Sequence, residues 1–129
     1  MFKFSTKSEQ LLNTVYKELN ILAHEVIKIS PIDFSITEGF RDRMKQKELY
    51  NEGKSRTLKS KHCECKAIDI MCCKERYKEP LRDIYIVIGL FLAKAKELNI
   101  NIRVGALWDN NSTKDNNFID AFHIELIVP

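Results

Sequence analysis

The chain has 129 residues, of which 44% are hydrophobic and 30% are charged. This length allows one domain with a core large enough to fold without disulfides, and the composition excludes collagen-like, low-complexity and generally disordered chains. The formal net charge of +3 is too small to indicate a nucleic-acid partner by itself. We therefore expect one domain over residues 1–129.

The chain carries no visible targeting signal. Residues 1–5 contain no apolar run of the kind that a secretory signal peptide needs. The most apolar stretch, residues 84–93, is shorter than the ~20 residues that span a bilayer, so we expect no membrane insertion. The cysteines fall within one short segment and are expected to be reduced thiols: Cys63, Cys65, Cys72 and Cys73.

A long helix is predicted near the start of the chain. Apolar residues recur at helical spacing over residues 11–29, and Ser8 is a suitable N-cap. Pro31 cannot continue a helix, so the pattern predicts one helix that ends just before it.

A strand and a short helix are predicted next. Residues 32–37 alternate between apolar and polar side chains, which is typical of a half-buried strand, and Gly39 ends the pattern. Asp42 can cap a short polar helix that ends near Gly53. Residues 54–66 are basic and have no period, so we expect a loop there.

The second half of the chain is predicted to contain one helix and three strands. A nearly all-apolar helix should run from Pro80 to about Leu98 and be buried on most sides. Strands are expected at residues 67–72, 102–106 and 121–128, and a polar loop at residues 109–120.

These elements predict an α+β fold, with two large helices on one face of a small, mainly antiparallel sheet. In the strand at residues 67–72, Ile68, Ile70 and Cys72 lie opposite Asp69. In the last strand, the apolar side chains lie opposite His123. If both strands turn their apolar side to the helices, Asp69 and His123 share the open face of the sheet.

Three residues on or beside that face have the types that bind metal ions. Two histidines and one aspartate, here His62, Asp69 and His123, can hold zinc and leave a fourth position open. Asp120, three residues before His123, could act as a general base. Spacing alone leaves open the alternative that these are solvated surface side chains. His24 lies in the first predicted helix and is interpreted as a surface or boundary histidine.

The order of four separated motifs resembles the zinc D-Ala-D-Ala carboxypeptidase/L-alanyl-D-glutamate peptidase family. The motifs are Thr37-Glu38-Gly39-Phe40-Arg41, Ser60-x-His62, Ala67-x-Asp69 and Asp120-x-x-His123-x-Glu125-Leu126. The chain is most similar to small phage endolysins that are L-alanyl-D-glutamate endopeptidases. That similarity adds Phe2-Lys3-Phe4 with Ser8-Glu9, Ser30-Pro31-x-Asp33-Phe34 and Gly105-Ala106-x-Trp108.

The resemblance implies roles for individual residues. It implies one Zn²⁺ per chain, held by His62, Asp69 and His123. It makes Asp120 the catalytic carboxylate and Arg41 the arginine that stabilises the oxyanion. It also implies that Ser60 and Trp108 belong to the substrate-binding part of the site, Ser60 as a supporting serine and Trp108 as an aromatic residue near the cleft.

The activity implied by the resemblance is cleavage of the L-Ala–D-Glu bond of the peptidoglycan stem peptide, for host cell lysis. The alternatives are a D-Ala-D-Ala carboxypeptidase or dipeptidase, and a catalytically silent relative that binds wall peptides. The presence of Asp120 disfavours the silent relative, because a binding module needs no base. We expect a monomer with a single catalytic domain and no separate wall-binding domain. It would stay in the host cytoplasm until a membrane pore admits it to the wall.

Two features of the loop before Asp69 need a separate interpretation: its cysteine at position 65 and its run of basic residues. Cys65 stands where the family usually has glycine, and a positive φ there would cost a cysteine energy. A thiolate metal site is an alternative, but paired zinc-binding cysteines are usually two or more residues apart, so we expect Cys65 not to bind zinc. The basic run Lys54, Arg56, Lys59 and Lys61 is most often a solvated face, and it could favour an anionic cell envelope.

Overall fold

The structure is a computed structural model that describes residues 1–55, 57–72, 80–105 and 122–128. The helices of these residues are α1 (Thr6–Leu12), α2 (Lys17–Ile29), α3 (Arg43–Asn51) and α4 (Pro80–Glu97), with a 3₁₀ turn at Lys61–Glu64. The strands are β1 (Phe34–Glu38), β2 (Ala67–Cys72), β3 (Ile102–Val104) and β4 (His123–Leu126). No helix within the described ranges is long and apolar enough to cross a membrane.

The four strands form one antiparallel sheet in the order β1-β2-β4-β3. Helix α1 packs on β1, α4 packs on β2 and β3, and α2 packs on α4. The α+β fold predicted from the sequence is therefore confirmed.

Strands β2 and β4 place apolar and polar side chains on opposite faces of the sheet. Ile68 of β2 pairs with Ile124 of β4, and both side chains are fully buried in the core. The next pair along the strands is Asp69 with His123. Because successive side chains alternate between faces, this pair lies on the face away from the core. The prediction that Asp69 and His123 share the open face is confirmed.

A β-bulge in β1 brings a further charged residue to the open face. The register shifts between Ile36, which pairs with Ile70, and Glu38, which pairs with Asp69. The extra residue, Thr37, turns the side chain of Glu38 to the face that carries Asp69. Bulges of this kind commonly re-aim side chains next to functional sites.

The single first helix predicted from the sequence is wrong, because the chain forms α1 and α2 there. Ser5, not Ser8, caps α1 by accepting a hydrogen bond from the Ser8 N–H, 3.2 Å away. Between the helices, the Thr14 hydroxyl donates to the Leu11 carbonyl oxygen at 2.6 Å. The Tyr16 N–H donates to the carbonyl oxygen of Cys65 at 3.0 Å. A hydrogen bond to a loop distant in sequence thus stabilises the break between α1 and α2. The helical spacing of apolar residues could not reveal this break.

Most of the other predicted elements agree with the structure or lie partly outside its described residues. Strand β2 has the predicted bounds, Asp42 caps α3 through the Lys45 N–H, and α4 begins at Pro80 as expected. The prediction that α4 is buried on most sides is wrong: one face, with Ile84, Val87 and Phe91, lies in the core, whereas Leu81, Tyr85 and Ile86 are exposed. The basic loop contains a 3₁₀ turn that its sequence did not predict. The start of the last predicted strand, the end of the third, and the polar loop at residues 109–120 lie outside the described residues.

Candidate metal centre

Three side chains converge above the open face of the sheet. The Nε2 atom of His62 lies 3.1 Å from Asp69 Oδ1, and the Nδ1 atom of His123 lies 3.3 Å from the same oxygen. The ligand atoms of the three residues all lie within 4.8 Å of one another. This is the one such cluster found among the described residues, and it could hold a metal ion.

His62 is held by the loop that precedes β2. Its side chain is 2% exposed, and its Nδ1 lies 2.8 Å from the carbonyl oxygen of Gly39. Since a carbonyl oxygen can only accept, Nδ1 carries the proton and donates, which leaves the Nε2 lone pair facing Asp69. The hydroxyl of Ser60 caps the 3₁₀ turn by accepting from the His62 backbone N–H at 3.1 Å. The turn thus fixes both the position and the tautomer of His62.

His123 is held by the sheet. Its Nε2 lies 2.8 Å from Glu125 Oε1, two residues along β4 on the same face. The Glu125 carboxylate accepts, so the Nδ1 of His123 is left to face Asp69. Arg103, the register partner of Glu125 on β3, has its Nη1 3.7 Å from Glu125 Oε2. The chain His123–Glu125–Arg103 is the carboxylate–histidine arrangement that orients metal-binding imidazoles.

The distances from the two inward nitrogens to the carboxylate oxygen fit a tetrahedral metal ion. Metal bonds of about 2.0–2.1 Å at tetrahedral angles separate neighbouring ligand atoms by ~3.3 Å. The two nitrogen–oxygen distances at Asp69, 3.1 and 3.3 Å, match that spacing. With both outward nitrogens committed as donors, the inward atoms present lone pairs to one point. Three protein ligands leave a fourth position for water or substrate.

The ionisation state of Asp69 suits it to bind a metal ion. Burial alone would raise the pKa of Asp69. Without a bound metal ion, the protonated forms of His123 and His62 would donate to this carboxylate and attract it by charge, and these interactions outweigh burial and hold the pKa well below its usual range. Burial likewise acts to raise the pKa of Glu125. The hydrogen bond from His123 and the charges of Arg103 and Lys61 outweigh it, so the pKa is lowered. Both carboxyl groups are therefore ionised at neutral pH.

Comparison with known proteins shows the family to which the chain belongs. The phage L-alanyl-D-glutamate peptidase family matches residues 1–127. The chain belongs to this family. It is 32% identical over 136 residues to the L-alanyl-D-glutamate peptidase of Escherichia phage T5, an alignment that covers 98% of each chain. Its fold is similar to the crystal structure of the Serratia marcescens L-Ala D-Glu endopeptidase ChiX. The TM-score is 0.80, the identity is 23%, and the match covers 98% of this chain and 90% of that one.

Of the other residues to which the peptidase-family resemblance gave roles, Arg41 lies beside the metal centre. Its side chain is 10% exposed, and its Nη2 lies 4.0 Å from Asp69 Oδ2. Nε and Nη2 donate to Glu38, and Nη1 donates to Gln46 Oε1 at 2.6 Å. Two of its five N–H donors are left without a hydrogen-bond partner among the described residues.

Gln46 joins Arg41 to the wall of the cleft. It is 1% exposed, and its Nε2 donates to the Thr57 carbonyl oxygen at 2.6 Å and to the Ser55 hydroxyl at 2.9 Å. The backbone N–H of Arg41 also donates to the His62 carbonyl oxygen at 3.1 Å. The guanidinium, the basic loop and the metal centre are thus parts of one hydrogen-bonded unit.

The metal centre opens into a cavity of about 320 Å³. Ser60 lines this cavity together with the three candidate ligands and Arg41. Asp120 and Trp108 lie outside the described residues, so their roles stay predictions.

The cysteines behave as expected where they are described. Cys65 has φ 62°, so the prediction that this position needs a positive φ is confirmed. Its sulfur is not among the converging ligand atoms, and Cys63 and Cys65 are free thiols. Cys72 is buried in the core as predicted, and Cys73 lies outside the described residues.

The sequence did not predict the supporting roles of three residues: Gly39, Glu125 and Gln46. Strand alternation places Glu125 on the same face as His123, but it does not show that the carboxylate bonds the outward nitrogen of the imidazole. Gln46 follows Arg41 on the next helix, but nothing in the spacing indicates that its amide bonds the guanidinium. The Gly39 contribution is a backbone carbonyl, which a sequence pattern does not reveal.

Proposed function

We propose that this chain is a zinc-dependent peptidoglycan endopeptidase that cleaves the L-Ala–D-Glu bond of the stem peptide. The observation that carries the proposal is the convergence of His62 Nε2, Asp69 Oδ1 and His123 Nδ1 at one point. Family membership supports the scissile bond, since the family and the phage T5 relative are both named L-alanyl-D-glutamate peptidases.

Zinc is the metal that the donor set favours. Two imidazole nitrogens and one carboxylate oxygen are ligands that zinc binds in catalytic sites, whereas magnesium and calcium prefer all-oxygen sites. Neutral imidazoles add no negative charge, so the bound ion would keep a net positive charge and remain a strong Lewis acid.

Zinc, when bound, supplies a Lewis acid that polarises the scissile carbonyl and lowers the pKa of a coordinated water toward ~7. Asp120 accepts the proton of the attacking water and later delivers it to the leaving amine. Arg41 donates to the oxygen that develops negative charge, using the N–H groups that Glu38 and Gln46 do not occupy. Ser60 keeps His62 in place through the cap of the 3₁₀ turn.

The biological role that fits this activity is host cell lysis at the end of a phage cycle. We propose that the chain acts as a monomeric, single catalytic domain and reaches the wall from the host cytoplasm through a membrane pore. Trp108 would contribute an aromatic surface to the substrate cleft.

Mass analysis of digested peptidoglycan tests the proposed activity. Purified protein loaded with one equivalent of zinc should release peptides with a free N-terminal D-Glu. Asp120→Asn is the matched control: it keeps the shape of the side chain but cannot accept a proton, so turnover should fall by a factor on the order of 10² or more. Release of D-Ala instead would indicate a carboxypeptidase, and an unchanged wall would indicate a silent binding relative.

A further inference from the structure

The cleft beside the metal centre carries an excess of positive charge. Five cationic side chains of the described residues line it: Arg41, Lys54, Lys59, Lys61 and Arg103. Two acidic side chains, Asp69 and Glu125, line it as well. Both of these carboxylates are engaged by the histidines of the metal centre. A bound divalent cation would add to the positive charge, so the cleft is complementary to an anionic substrate.

Of these five cations, Lys59 and Lys61 have the weakest contacts with acidic side chains. Arg41 pairs with Glu38, Lys54 lies 3.3 Å from Glu52, and Arg103 lies 3.7 Å from Glu125. The Nζ of Lys61 lies 3.9 Å from its acidic neighbour Glu64, the limit of an ion pair, and Lys66 holds the same oxygen at 3.2 Å.

Lys59 has no acidic partner within the ranges that the structure describes. Its backbone is nonetheless fixed, because its N–H donates to the Thr57 hydroxyl at 2.9 Å. Lys59 and Lys61 flank Ser60, the residue that caps the turn carrying His62. Their backbones are therefore held next to the metal centre, while their ammonium groups are left to meet a ligand.

The substrate of the proposed function supplies a matching anion. A glutamate residue has two carboxyl groups; at most one extends the peptide chain, and the other is a free carboxylate unless it is amidated. We propose that Lys59 and Lys61 bind this free carboxylate of the D-glutamate residue, so that the enzyme selects acidic stem peptides over their amidated forms. This inference rests on the proposed function and names the substrate class that the site prefers.

The test compares two synthetic stem peptides that differ in one group. In one peptide the spare carboxyl group of D-Glu is free, and in the other it is the carboxamide. We expect the zinc-loaded enzyme to cleave the acidic peptide with a kcat/KM about tenfold higher, since two partly exposed ammonium groups contribute modestly. The difference should shrink as salt is raised from low to physiological concentration.

Matched variants assign the selectivity to the two lysines. The Lys59→Gln/Lys61→Gln double variant should lose most of the preference, chiefly through a higher KM for the acidic peptide. Lys59→Arg/Lys61→Arg should retain it. Lys17→Gln/Lys47→Gln removes the same charge from exposed positions that do not line the cleft, and it should keep the full preference.

Three outcomes would contradict the inference, and they are distinguishable. Equal cleavage of both peptides by the unmodified enzyme would overturn the selectivity while supporting the proposed function. A preference that survives in the Lys59→Gln/Lys61→Gln variant would overturn the assignment to these lysines. Failure to cleave either peptide would contradict the proposed function and, with it, the inference that depends on it.

Discussion

The candidate metal centre has two halves that are built in different ways. Asp69 and His123 stand on adjacent strands, as a register pair whose positions follow from the sheet. His62 stands on a short 3₁₀ turn outside the sheet. Its position depends on hydrogen bonds to residues far away in the chain, above all the carbonyl of Gly39. Regular structure therefore places two of the candidate ligands, whereas tertiary contacts place the third.

The hydrogen-bond partners that orient the two histidines also differ between the two halves. The outward nitrogen of His123 is held by Glu125 on its own strand, and that of His62 by a carbonyl after the bulged end of β1. The turn is further tied down at Cys65, whose carbonyl accepts from the Tyr16 N–H at the start of α2. Changes in the strand half should therefore act locally on the metal, and changes in the loop half should also affect stability.

The strand half can be broken at Glu125. Glu125→Ala removes the acceptor that orients His123, and we expect zinc affinity to fall by roughly 10–100-fold. Glu125→Gln keeps an acceptor oxygen without the charge, so its zinc affinity should lie between those of Glu125→Ala and the unmodified protein. Competition with a chromophoric chelator measures the affinity. Glu97→Ala, which removes an exposed glutamate paired with Lys94, is the control. Unchanged affinity in Glu125→Ala would mean that the strand alone fixes the imidazole.

The loop half can be broken at Gly39, where there is no room for a side chain. A Cβ would lie 2.5 Å from Thr14 Oγ1 and 2.6 Å from the Leu11 carbonyl oxygen. Gly39→Ala should cost roughly 1–3 kcal/mol in the free energy of unfolding, because the backbone must shift. The shift should also weaken zinc binding by moving the carbonyl that holds His62. Thermal denaturation with and without zinc measures both effects.

Gly89 provides the matched control for that substitution. A Cβ at Gly89, inside α4, would meet nothing within 4 Å, so Gly89→Ala should be neutral or stabilising. Equal effects of the two substitutions would refute the role given to Gly39.

The smallest expected effect is at Cys65, where the loop half stores conformational strain. Cys65 has φ 62° and Asn99 has φ 58°, both in the left-handed region. Cys65→Gly relieves the strain but adds freedom to the unfolded chain, so we expect a gain between zero and about 1 kcal/mol. Asn99→Gly should gain less stability, because asparagine adopts the left-handed conformation at a lower cost than cysteine does. Zinc content should not change in either variant; its loss in Cys65→Gly would mean that the thiol binds the metal.

The strand half of the site was largely predictable from the sequence. Alternation in β2 and β4 places Asp69 and His123 opposite the core side chains, and pairing of the two strands then brings them together. Other local signals predicted α3 and α4: the cap residue Asp42 and Gly53 for α3, and Pro80 before an apolar stretch for α4.

The loop half was not predictable in the same way. Residue types and their order identified His62 by family resemblance, but its partners are a backbone carbonyl and a capping hydroxyl that no periodicity encodes. The break between α1 and α2 depends on a hydrogen bond between Tyr16 and Cys65, which are distant in sequence. The bulge that turns Glu38 toward Arg41 is likewise a tertiary adjustment of one strand against another.

The most direct test of the account is the zinc content of the purified protein and of two variants, one from each half. We expect one zinc per chain in the unmodified protein and little in either His62→Ala or His123→Ala, because each removes one of the three proposed ligands. His24→Ala, which removes a histidine bonded to Glu9 and remote from the centre, should keep its zinc. Circular dichroism checks that the variants are folded. Full zinc stoichiometry in a folded His123→Ala or His62→Ala protein would contradict the account.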